Sequence, residues 1–202
     1  EAVGVVRRGP HDRVGRRGWG QRTVAARQQH AEHRAASLLR VEVDAVAEQR
    51  GEGDRAVLWR GARTSLLHAI ESHGWDGAWY RRAFFDDGSP LGSAANAECK
   101  IDLIAQAWAV LAGGGDAGRA RQALQSAADH LIDDAHLVRL LDPPLADQQP
   151  NAGYIQAYPR GVRENGGQYT HAAIWTAMAF AQLGDGDKAA EILAMLNPIQ
   201  RS

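Results

Sequence analysis

The sequence predicts an all-α protein, a toroid of helical hairpins with short extended segments and one long loop. Two observations point there: apolar residues recur at helical spacing from about residue 50 onward, and Gly-rich turns ending in Asp join one helical pattern to the next. The 202 residues suffice for one good core.

Residues 1–45 stand apart. The stretch "VVRRGPHDRVGRRGWGQRTVAARQQHAEHRAASLLR" is crowded with Arg, His and Gln, and no apolar helical period runs through it for more than two turns. It reads as a basic nucleic-acid arm, a flexible tail, or damaged or misread coding sequence. The first reading lacks base-stacking aromatics apart from Trp19, and the second is at odds with the Val and Leu content.

From about Arg50 the pattern is ordered. "GARTSLLHAIESHG" (61–74) sets Leu66, Leu67 and Ile70 on one helical face and stops at Gly74. "WDGAWYRRAFFDDGSPLG" (75–92) reads as short extended segments with tight turns at Asp76-Gly77 and Asp87-Gly88. "KIDLIAQAWAVLAG" (100–113) predicts an apolar helix and "DAGRARQALQSAADHLI" (116–132) an amphipathic one.

A weak repeat organises these helices. "RGEGDRAVLW", "AGGGDAGRARQAL" and "LGDGDKAAEIL" each pass through Gly to an Asp, so Asp54, Asp116 and Asp187 are candidate N-caps. The copies start 62 and 71 residues apart, unlike a regular short-repeat array. In the second and third copies the apolar helix comes first and the charged one second, which predicts inner and outer helices of stacked hairpins.

The connection 141–168, "LDPPLADQQPNAGYIQAYPRGVRENGGQ", holds four of the seven prolines and two of the four tyrosines. A loop of that length in a compact domain is a functional candidate. Tyr154 and Tyr158 offer flat faces to sugar rings, or else pack down onto the helices. Arg163 and Glu164 can serve sugar hydroxyls or an anion, or form a solvated ion pair at a helix entrance. Gly166 and Gly167 allow close backbone approach to a ligand. His171, in the first turn of "YTHAAIWTAMAFAQLG", is a core histidine or a group placed for phosphate at a helix N-terminus.

Other chemistry is weakly signalled. His30 and His33 have no cysteine nearby, and His68 and His73 do not share a helical face, so no metal site is expected. GxSxG, P-loop and strand-linked GxGxxG motifs are absent. Asp86 and Asp87 sit in a turn, Asp102 begins a helix, and Glu98 and Asp102 are spaced one helical turn apart; none is singled out as a general acid. The single cysteine, Cys99, is read as a small buried apolar residue. A net charge of −1 gives no footprint for nucleic acid, and no stretch approaches the ~20 apolar residues of a membrane span, so a soluble cytoplasmic protein is expected.

The segments "GWDGAWYRRAFFDDGSPLGSAANAECKIDLIAQAWAVL", "RLLDPP", "GYIQAYPRGVRENGGQYTHAAIWTAMAFAQLGDGDKA" and "LNPI" together resemble glycoside hydrolase family 94, over about residues 51–202. The resemblance implies a partial (α/α)6 barrel over residues 46–202. It also implies inverting phosphorolysis of β-glucosidic bonds, of β-1,2-glucan type, to α-glucose 1-phosphate. Oligosaccharide or β-glucan and inorganic phosphate are then the partners, with phosphate as co-substrate and no metal or organic cofactor. The full-length family admits a homodimer.

By motif, Arg163, Glu164, Gln168 and Tyr154 fall to substrate and His171 to phosphate. The family's general-acid motif, "DWNDG", is missing: "VGVVRRGPH" stands in its place ahead of "DRVGRRGWGQRTVA". No catalytic residue is therefore assigned, inactivity of the chain alone is expected, and misread or decayed coding becomes the reading of the N-terminal stretch.

Overall fold

A computed structural model describes residues 43–133 and 137–201. Residues 1–42, with Trp19, His30, His33 and the segment standing where "DWNDG" is expected, lie outside the described residues.

The described chain is predominantly helical. Helices α1 (Val43–Gln49) and α2 (Gly53–Ala69) form a first hairpin, and α2 runs into a π-helical turn, Ile70–Gly74. The helix expected over 61–74 therefore starts earlier, at Gly53, and stops at Gly74 as the sequence suggests. Glu71 ties that turn to two later segments: Oε1 accepts from the Tyr80 hydroxyl (2.7 Å) and the Asp116 amide (3.0 Å), and Oε2 pairs with Arg119 at 3.0 Å. Burial and the Glu71 carboxylate push the Tyr80 phenol far above its usual range, keeping it a donor.

The turns at Asp76-Gly77 and Asp87-Gly88 form as expected. Trp75 bridges Tyr80 across the first, and β1 (Ala83–Phe84) pairs antiparallel with β2 (Pro90–Leu91) across the second. Both glycines have positive φ, 95° and 83°. Asp76 is structural, accepting from Arg81, Ser93 Oγ and the Ala94 amide.

The helix expected over 100–113 begins late. Ile101–Asp102 forms β3, paired antiparallel with β4 (Leu141–Asp142), and α3 spans Leu103–Leu111. Asp102 has extended backbone and caps α3, accepting from the Ile104 (2.9 Å) and Ala105 (3.4 Å) amides. Its other oxygen meets buried Arg82. Glu98 and Asp102 thus do not share a helix.

Helix α4 (Ala117–Leu131) comes next, capped by Asp116 through the Arg119 amide at 2.8 Å, as the repeat predicts. The other two candidate caps are corrected. Helix α2 starts after Glu52 with no side-chain cap, so Asp54 sits in its first turn. Asp185, rather than Asp187, caps α6 (Gly186–Leu196), accepting from the Lys188 amide at 3.0 Å.

Apolar α3 packs along apolar α5 (Thr170–Gln182), with the charged helices α4 and α6 flanking their own partners. Small side chains on α5, Ala172, Ala173, Ala177 and Ala179, are all buried and let the two helices approach closely. Leu103, Val110, Leu124, Leu131, Phe180 and Ile192 fill the space around them. Two adjacent hairpins with their apolar members in contact are therefore in place.

The connection 141–168 has a small core of its own. Leu91, Cys99, Leu141, Leu145, Ala152 and Ile155 are buried together, with Phe85 and Tyr154 against them. Cys99 is fully buried, as expected. Apart from β4 and one 3-10 turn at Gly153–Ile155 the connection is irregular, so this satellite cluster is what gives it shape.

Candidate functional site

Three devices hold the loop that carries the candidate residues. Glu98 Oε2 accepts the amides of Ala146 (2.7 Å), Asp147 (3.0 Å) and Gln148 (3.0 Å), while Oε1 pairs with Arg160 at 2.9 Å. The three amides and Arg160, with Ala146 the largest influence, hold the Glu98 carboxyl below its usual range. Asn165, with no exposed surface, accepts from the Leu145 amide (2.7 Å) and donates to the Leu145 and Tyr158 carbonyls (both 2.8 Å).

Gly166 and Gly167 close the turn, and what crowds them is the chain itself. A Cβ on Gly166 would stand 2.7 Å from Pro144 Cγ, and one on Gly167 would stand 2.8 Å from the Arg163 carbonyl oxygen. The close approach anticipated toward a ligand is thus spent on packing within the chain.

That scaffold presents a continuous line of contacts. Tyr154 meets Tyr158 edge to face, centroids 6.2 Å apart, and the Arg163 guanidinium lies over the Tyr158 ring at 4.9 Å. Arg163 has a left-handed backbone, φ 51°, and a side chain 61% exposed. Its Nε stands 3.4 Å from Glu164 Oε2, outside hydrogen-bonding geometry. Glu164 is 6% exposed, and its Oε1 accepts from the Tyr169 hydroxyl at 3.2 Å. Burial first, and then the Glu164 carboxylate, raise the Tyr169 phenol above its ordinary value.

Tyr169 in turn packs edge-on against the His171 ring (4.3 Å), His171 against Trp175 (4.6 Å), and Trp175 against Trp108 of α3 (5.2 Å). His171 lies in the first turn of α5 with its side chain on the exposed side, so the core-histidine reading fails. No side chain caps that first turn. Gln168 sits beside the line: its Oε1 accepts from the Val138 amide at 3.2 Å.

Sequence reasoning did not name Tyr169, Trp175 or Trp108. The spacing of Trp175, four residues after His171 on one helix, was the available signal. Two of the other carboxylates considered are engaged elsewhere: Asp102 with Arg82, Asp87 with the Ser89 amide and hydroxyl. Among the described residues no three His, Cys, Asp or Glu groups are arranged to hold a metal ion, and no helix is long and apolar enough to cross a membrane.

Two paired helical hairpins thus bring aromatic faces, a buried carboxylate, a guanidinium and an imidazole to one loop and helix entrance. Residues 35–202 match the glycosyl hydrolase 94 superfamily, catalytic domain, and the chain belongs to that family. It is 46% identical over 157 residues to the cyclic beta-(1,2)-glucan synthase NdvB of Rhizobium meliloti (strain 1021), covering 77% of this chain and 6% of that protein. It is 34% identical to the 3-O-beta-D-glucopyranosyl-beta-D-glucuronide phosphorylase of Paenibacillus borealis, over 75% of this chain and 19% of the enzyme. With the N,N'-diacetylchitobiose phosphorylase of Vibrio furnissii it shares 30% identity over 78% of this chain and 20% of the enzyme. The chain thus spans a fifth or less of the length of these relatives.

Proposed function

We propose that this chain supplies the glucosyl-binding and phosphate-binding half of an inverting β-glucoside phosphorylase centre of β-1,2-glucan type. Helices α3 to α6 would be two hairpins of an (α/α)6 barrel working in the cytoplasm, where phosphate is available. The observation that carries the reading is Glu164. Its Oε2 is buried beside an exposed Arg163 and accepts no hydrogen bond. A buried carboxylate oxygen left without a donor costs about 1–3 kcal/mol or more, so a ligand hydroxyl that reaches it is strongly rewarded.

In that centre Arg163 and Glu164 hold glucosyl hydroxyls, with Tyr154 and Gln168 on the flanks. His171, at an α5 entrance with no side-chain cap, holds phosphate with help from the helix dipole. A phosphate oxygen forms the new bond at the anomeric carbon from the α face while the β-linked oxygen leaves and takes up a proton. The sequence has no "DWNDG" aspartate to give that proton. The missing donor is expected to cost about 10²–10⁴ in rate, leaving the chain a binder with little turnover.

The test is phosphorolysis of sophorose or cellobiose followed by glucose 1-phosphate release, together with glucose and phosphate titrations of Glu164→Gln and His171→Ala. Expected are no robust turnover, loss of glucose binding in the first variant and of phosphate binding in the second. Vigorous glucose 1-phosphate production would overturn the inactive reading, and free glucose released without phosphate would indicate a hydrolase. Sugar binding that ignores phosphate and survives His171→Ala would instead favour a non-catalytic glycan-binding module.

A further inference from the structure

Two contacts made by one side chain connect the halves of this site. Tyr169 ends the loop as the residue preceding α5; its hydroxyl reaches back to Glu164 Oε1 at 3.2 Å, and its ring edge reaches forward to His171, centroids 4.3 Å apart at 71°. We propose that Tyr169 is a positioning residue joining the two subsites: its hydroxyl turns Glu164 so that Oε2 is offered to sugar, and its ring fixes the His171 imidazole for the anion. This rests on the sugar and phosphate reading of the site.

The physical case has two parts. A carboxylate with both oxygens unheld rotates about its last torsion, which is broad and roughly two-fold. A donor on Oε1 selects one orientation, and that orientation leaves Oε2 at 3.4 Å from Arg163 Nε with no hydrogen bond made. An exposed imidazole on a first helical turn likewise rotates unless something packs on it. Tyr169 at 4.3 Å and Trp175 at 4.6 Å both pack against it and restrict that rotation. With its phenol raised by burial and by the Glu164 charge, Tyr169 keeps its proton at neutral pH.

The two parts are separable by substitution. Tyr169→Phe keeps the ring and removes the donor, whereas Tyr169→Leu removes both. Using the full 202-residue chain, glucose and inorganic phosphate are titrated separately by calorimetry, and the His171 ring-proton resonances are followed by NMR.

At 3.2 Å the hydroxyl bond is longer than most O–H to O bonds, so its loss is expected to weaken glucose about three- to tenfold. Tyr169→Phe should leave phosphate affinity and the His171 resonances unchanged. Tyr169→Leu should weaken both ligands and move those resonances as one ring current is lost. Should the leucine variant not fold, the phenylalanine variant decides alone. Wild-type glucose affinity in Tyr169→Phe, with Glu164→Gln impaired, would overturn the positioning role and leave the site reading intact. Wild-type binding of both probes by Glu164→Gln and His171→Ala, or no binding by the unaltered chain, would overturn the site reading and this role with it.

Discussion

Replacing Glu98 by Gln tests how the site-bearing loop is held. The carboxylate joins two stretches distant in sequence, with three successive amides on one oxygen and Arg160 on the other. A glutamine keeps one acceptor, loses the charge, and turns an NH2 group toward either the amides or Arg160, which are all donors. Hydrogen bonds to a charged group are worth about 1.5–3 kcal/mol. Two of the three amides lie on the exposed side, where water substitutes in part, and the Arg160 side chain is 59% exposed. The pair with Arg160 therefore adds little. The net expectation is about 2 kcal/mol against the closed loop, or roughly a 30-fold larger open population.

Amide hydrogen exchange reads this directly. Exchange at Ala146, Asp147 and Gln148 should rise in the variant while the amides in the middle of α4 stay as they are. The pH dependence has a definite sign. The folded carboxyl titrates below its ordinary value of 4.5, so the stabilisation is complete above about pH 4.5 and is lost as pH falls through the lower folded value. The unaltered chain should lose protection at 146–148 on acidification, and Glu98→Gln should show no such loss. Equal exchange in both proteins at neutral pH would refute the clamp.

Two further substitutions probe the frame. In Gly167→Ala the new Cβ meets only backbone, the Arg163 carbonyl oxygen at 2.8 Å and the Arg163 nitrogen and Gly161 carbonyl oxygen at 2.9 Å, none of which can swing aside. A cost of about 1–3 kcal/mol is expected, with glucose and phosphate binding weakened together; an unchanged melting temperature would refute it. Arg82→Met strands the fully buried Asp102 carboxylate and should cost about 3–5 kcal/mol in denaturant melts. Adding Asp102→Asn, which keeps the helix cap without the charge, should recover much of that; no recovery would mean the ion pair is not the source.

Helical hairpins were legible because burial in a helix imprints its own period, and Asp116 was readable as a cap because it directly follows a glycine run. Where two carboxylates compete, as in "GDGD", spacing cannot say which oxygen reaches an amide, and Asp185 rather than Asp187 does so. The late start of α3 was hidden because its cause is remote: Asp102 stays extended to pair with Leu141. Exposure was equally hidden. Nothing in "YTHAAIW" tells whether His171 faces the apolar core or the loop, since that depends on how α5 rolls against α3.

The density of "RENGGQYTH" has a physical reason in the way eight of its nine residues divide their work. Asn165, Gly166 and Gly167 are spent on the frame, through three hydrogen bonds and two close approaches, and Gln168 is anchored to that frame by the Val138 amide. Arg163, Glu164, Tyr169 and His171 form a line of contacts beside it, exposed at Arg163 and His171 and buried at Glu164. A frame and a site interleaved this tightly cannot be altered independently by substitutions within the frame. Changes at Asn165, Gly166 and Gly167 should therefore lower stability and both ligand affinities in parallel. Changes at Glu164 and His171 should separate sugar from phosphate at nearly constant stability, and Tyr169→Phe should side with Glu164 because the ring that His171 leans on remains.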